Sequence, residues 1–110
     1  MQDKLEEIFF LQKSFEEMMN LDRYPKDVEG KVSALCTAMI HEAVELQRTT
    51  NWKWWKKPMS FNEAEAREEL IDIWHFLVQA SIELNLTPDD ILKEYQRKNE
   101  INRQRQKNGY

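Results

Sequence analysis

A chain of 110 residues suffices for one domain with a modest core, and that single domain is expected to span residues 1–110. Two glycines and three prolines leave few turns, so a small number of long elements is expected. With 33% charged residues, a net charge of −4 and only short apolar runs, the composition argues against a general nucleic-acid binder and a membrane-spanning protein.

The first helix is expected over about 3–20, with Leu5, Ile8, Phe9, Phe15 and Met19 at helical spacing and Asp3 with Glu6 as its cap. Gln12 falls on or beside that apolar stripe. It reads either as a boundary residue or as an amide aimed into a pocket, offering a donor and an acceptor. Tyr24-Pro25 breaks the pattern. A second helix is expected over about 26–50, its stripe formed by Val32, Leu35, Cys36, Met39, Ala43 and Leu46. Cys36 is the only cysteine, which fits a reducing, intracellular and cytoplasmic setting, as does a start in charged amphipathic sequence.

Residues 51–58 hold three of the four tryptophans and three lysines. Such a loop could cap the bundle end, bury a dimer contact, or offer an aromatic plate and ammonium groups to a base and its phosphates. Ser60-Phe61-Asn62-Glu63 reads as a capping box for a third helix reaching Leu84 or Asn85. Its stripe is Ala66, Leu70, Ile73, Phe76, Leu77 and Ala80, with Trp74, Val78 and Ile82 on other sides. A helix apolar on several sides must be covered on several sides, which predicts an oligomer. Thr87-Pro88-Asp89-Asp90 starts a fourth helix whose apolar content ends near Tyr95. Lys98, Asn102 and Arg105 continue its stripe, either as a solvated terminus or as a cationic face that meets a ligand. No strand pattern is present. The expected fold is all-α, an antiparallel four-helix bundle assembling as an oligomer.

Two pairs of acids stand inside these stripes. Glu42 and Glu45 lie on the second helix, and Glu69 and Asp72 on the third, each pair at i, i+3. Four carboxylates facing one another would repel, and a hard cation such as Mg²⁺, or Mn²⁺ in its place, is the usual remedy. Solvated acidic faces give the same spacing. His41-Glu42-Ala43-Val44-Glu45 lacks the second histidine of a zinc-protease motif. A di-iron bundle needs two Glu-x-x-His pairs, and only Asp72 with His75 approximates one. Carboxylate-held Mg²⁺ can polarise a triphosphate and activate a water, while Lys and Arg neutralise the remaining phosphate charge.

His-Glu-x-x-Glu, an aromatic and lysine-rich segment, then Glu-Glu-Leu-x-Asp resembles the all-α NTP pyrophosphohydrolases of the MazG-like superfamily. Leu11-Gln12, Lys53-Trp54-Trp55-Lys56 and the Lys98 to Tyr110 segment make the resemblance strongest to the dimeric dUTPases. It covers nearly the whole chain. It implies hydrolysis of dUTP to dUMP and pyrophosphate by a water that the metal binds, with Glu42, Glu45, Glu69 and Asp72 as Mg²⁺ ligands. Glu42 or Glu45 would also orient or deprotonate that water. It further implies that Gln12 meets the uracil edge and that Trp55 stacks on the ring, with Trp54 or Trp52 as alternatives. Lys56, Lys98, Asn102 and Arg105 would contact phosphates or sugar, and Tyr110 would help close the site. A homodimer is implied, both subunits contributing to each site, and a tetramer is also compatible with the sequence. The chain departs from the family in lacking extra helices and a further pocket asparagine a few residues after the glutamine, where Ser14, Phe15 and Glu16 stand. A broader dNTP or dCTP pyrophosphohydrolase therefore remains an alternative, as does a non-enzymatic helical interaction module.

Overall fold

The computed structural model describes residues 3–109, so the expected role of Tyr110 lies outside the described residues. The chain folds into four helices, α1 (Lys4–Met18), α2 (Val28–Gln47), α3 (Glu63–Glu83) and α4 (Pro88–Lys107), with no strand among the described residues. The all-α expectation holds. None of the helices is long and apolar enough to cross a membrane.

Local chemistry sets the helix ends. Asp3 caps α1 by accepting from the backbone N–H groups of Leu5 and Glu6. Asp27 caps α2 by accepting from the Gly30 N–H at 3.1 Å. The glycine lets Asp27 lie close to the helix, since a Cβ at position 30 would meet Asp27 Oδ1 at 2.6 Å and the carboxylate would have to shift. The expected capping box at Ser60 does not form. Asn62 caps α3 instead, accepting from the Glu65 N–H at 3.1 Å. Upstream, the Asn51 side chain clamps both backbone groups of Met59, each at 2.8 Å, and the chain stays non-helical up to Asn62. α3 ends in a Schellman turn: Asn85 takes a left-handed conformation (φ 59°) and the Leu86 N–H donates to the Ser81 carbonyl. Thr87 and Asp90 then exchange two hydrogen bonds in a capping box, which holds the Asp90 carboxyl below its ordinary range.

α2 and α3 form the centre of the fold. Glu42 meets Glu69 and Asp72 while Lys31 pairs with Glu83 at 3.8 Å, so the two helices run antiparallel. α1 packs on α3. α4 meets α1 and neither α2 nor α3. The connection between α1 and α2 is pinned across the hairpin by the Tyr24 hydroxyl, which donates to Glu83 Oε2 at 2.6 Å, with Lys31 over the Tyr24 ring.

The enclosed core is small. Among the described residues only Leu35, Ala66, Val78 and Gln79 are buried. Leu70 and Leu77, expected in the α3 stripe, are 45% exposed, and Cys36 is exposed as well. These apolar flanks exceed what one chain covers. The accessible surface is 9354 Å², against about 6,500 Å² for a compact monomer of this mass. The radius of gyration is 17.4 Å, against about 13 Å for a compact domain of this length.

Candidate functional site

Two helices bring three acids together. Glu42 on α2 and Glu69 and Asp72 on α3 each place a carboxylate oxygen within 4.8 Å of the others. Glu42 and Glu69 are half-buried and Asp72 is exposed. The crowding has an electrostatic consequence. Partial desolvation, followed by the charges of Asp72, Glu42, Glu45 and Glu65, holds the Glu69 carboxyl above its usual range. Glu45 stands outside the trio. It is exposed and pairs with Arg48 at 3.8 Å, although its charge reaches Glu69.

Like charges forced together, with oxygen donors only and one side open to solvent, fit a hard divalent cation. Neither histidine joins the group, which disfavours zinc or a di-iron centre.

A cleft of about 630 Å³ opens beside the trio. Glu42 and Asp72 form one part of its wall, and Gln12, Gln79 and Tyr24 another. Phe15, Met19, Leu21, Leu35 and Phe76 supply apolar surface between them. Such a mix of apolar lining with a few convergent polar groups is typical of a small-molecule site.

The far wall of the cleft is a hydrogen-bonded chain. Gln12 Nε2 donates to Gln79 Oε1 at 3.1 Å, and Gln79 Nε2 donates to Glu16 Oε2 at 2.9 Å. Burial, together with the hydrogen bond to Glu83 and the charges of Glu83 and Glu16, pushes the Tyr24 hydroxyl above its ordinary pKa, and the neighbouring Gln79 amide opposes the shift. Gln79 is 5% exposed, so its amide needs these partners.

The aromatic loop lies at the other side of the acids. Along α3 the order is the loop end, Glu69, Asp72, then Gln79. Trp55 packs edge-on against Trp52 and Trp54, with centroids 5.9 and 4.7 Å apart, and remains 57% exposed. Arg48, Lys53, Lys56 and Lys57 line a separate cavity of about 530 Å³ beside Trp52. Trp55 and Lys56 do not line the cleft that contains Gln12. Lys98, Asn102 and Arg105 lie on α4, and they do not line it either. One chain thus gathers Gln12, Glu42, Glu69 and Asp72, and keeps the loop and α4 residues elsewhere.

Sequence reasoning passed over Gln79, Tyr24, Glu83 and Asn51. A signal for Gln79 existed: it lies seven residues after Asp72, on the same helix face two turns on.

The family model described as dUTPase matches the chain over residues 4–90 and again over 83–110. No curated protein and no solved structure matches it.

Proposed function

The chain belongs to the dUTPase family, and from that premise we propose that it is a Mg²⁺-dependent nucleoside triphosphate pyrophosphohydrolase that converts dUTP and water to dUMP and pyrophosphate. The observation that carries this reading is the cleft whose wall joins Glu42 and Asp72, two of the three convergent carboxylates, to the Gln12 amide.

Glu42, Glu69 and Asp72 hold the cation, Mg²⁺ or Mn²⁺ in its place, with Glu45 adjoining them. When bound, the cation polarises the phosphoryl oxygens and lowers the pKa of water. The Glu45 carboxylate, outside the trio and exposed, accepts the proton of the attacking water. Gln12 pairs with the base edge, and the apolar walls keep bulk water from it. Lys56, Lys98, Asn102 and Arg105 neutralise phosphate charge and Trp55 stacks on the base. These five approach a given cleft from a second copy of the chain, in a homodimer. The uncovered surface, in excess by about 3,000 Å², supports that assembly, since obligate interfaces bury areas of that order.

The experiment is pyrophosphate release from dUTP, dCTP, dTTP, dATP and the ribonucleotides. Turnover highest with dUTP is expected. Equal turnover of all would leave a general pyrophosphohydrolase, and turnover of none would leave a non-enzymatic helical module.

The repulsion at Glu69 also makes a pH prediction. A raised pKa means that the folded chain retains a proton which the unfolded chain has released. The metal-free protein therefore loses stability as pH rises from the ordinary carboxylate value through the raised one. A bound cation removes that loss, and it binds better once the ligands are deprotonated. Thermal melts with Mg²⁺ and with EDTA across this interval should show a Mg²⁺-induced gain in Tm that grows with pH. A gain independent of pH would contradict the site.

A further inference from the structure

The chain Gln12–Gln79–Glu16 does more than satisfy a buried amide. Viewed from Glu16, each member dictates the orientation of the next. A carboxylate only accepts, so Gln79 must turn its NH₂ group toward Glu16 Oε2 (2.9 Å). Its carbonyl oxygen then faces Gln12 and accepts from Nε2 at 3.1 Å. Gln12, which lines the cleft, keeps its Oε1 and a second N–H that make no hydrogen bond among the described residues. Beside this chain the Tyr24 hydroxyl gives its own proton to Glu83 Oε2 at 2.6 Å. A flip of Gln79 would set its oxygen against the Glu16 carboxylate and its NH₂ group against that of Gln12 while 5% exposed.

An amide of fixed orientation reads a pyrimidine by its hydrogen-bond polarity. Uracil and thymine carry an acceptor at position 4 and an N–H donor at position 3. Cytosine carries a donor at 4 and an acceptor at 3. The same base in the same place therefore needs the amide the other way round. We infer that Gln79, held by Glu16, is the positioning residue that fixes Gln12 for the imino edge of a keto pyrimidine and rejects cytosine. This rests on the reading of the cleft as the base site. The lock is blind to the 5-methyl group, so it separates uracil and thymine from cytosine and leaves uracil against thymine to other contacts.

The test is kcat/KM for dUTP, dTTP and dCTP in the wild type, in Gln79→Met and in the exchange variant Gln79→Glu/Glu16→Gln. Met conserves volume and releases the Gln12 amide. The exchange again puts an acceptor in front of Gln12. Gln79→Met should lower the dUTP over dCTP ratio by about tenfold or more, with the dUTP over dTTP ratio unchanged. The exchange variant should recover the wild-type ratio. An unchanged dUTP over dCTP ratio in Gln79→Met, or equal change in both ratios, overturns the inference. Should Gln79→Met fail to fold, the exchange variant decides: a retained ratio supports the lock and a lost one overturns it. A wild type that hydrolyses dCTP as well as dUTP overturns the lock and leaves the pyrophosphohydrolase reading standing. A wild type that hydrolyses no nucleotide removes both.

Discussion

Asp72→Asn lowers the rate of dUTP hydrolysis by roughly a hundred- to a thousandfold, the scale of losing one electrostatic contact to developing charge, and leaves the helices in place. Asp72 is exposed and sits mid-helix, so the isosteric amide disturbs no packing. The variant also relieves repulsion on Glu69, whose carboxyl is held high by this neighbour among others. The metal-free protein should therefore melt at an equal or slightly higher temperature than the wild type at neutral pH. Activity and stability move in opposite directions, which a folding defect cannot produce. Kinetics, far-ultraviolet circular dichroism and melting in EDTA check the three parts. An active Asp72→Asn enzyme would remove this carboxylate from the site. Glu69→Gln should behave in the same way, because Glu69 is the member of the trio on which the repulsion is most evident.

On the proposed dimer, Trp74→Glu should abolish self-association and leave a monomer of markedly lower stability. Trp74, Leu11, Phe15 and Ile71 line one apolar surface of α1 and α3, and each is between 45% and 59% exposed in the single chain. Burying a large apolar side chain contributes about 1.5–3 kcal/mol. Four such residues on one face therefore outweigh the stability that this small enclosed core supplies. A glutamate there forfeits that burial and would place an unpaired charge in the interface. Sedimentation should find wild type at twice the chain mass with a Tm that rises with concentration. The variant should sediment as a monomer with a lower Tm independent of concentration. A wild-type monomer with a concentration-independent Tm would contradict the dimer.

Much of this architecture was legible. Asp3 and the Thr87-Pro88 start are strong local signals, and both residues cap their helices as expected. Glu42, Glu69 and Asp72 were visible as acids inside apolar patterns, and the α2–α3 crossing brings them together. The same i, i+3 spacing does not decide Glu45. Residues three apart diverge by about 60° around a helix, and the tilt of the neighbouring helix determines which of them converge. Ser60 and Asn62 are both good caps on composition, and the choice rests on a contact from Asn51 eight residues before Met59. The position of α4 was not legible because its second half lacks the apolar stripe that would dock it on α2 or α3. Gln79 was hidden for a different reason. Its place on the face of Asp72 was a signal, but its role depends on partners, Gln12 and Glu16, that come from another helix.

The central claim is that the acids of the α2–α3 hairpin and the Gln12 cleft form one hydrolytic site for dUTP. The most direct measurement is product analysis of dUTP incubated with the purified chain in Mg²⁺ and in EDTA. The account predicts dUMP and pyrophosphate in equal amounts with Mg²⁺, and neither with EDTA. Hydrolysis undiminished by EDTA, or products dUDP and inorganic phosphate, would contradict it.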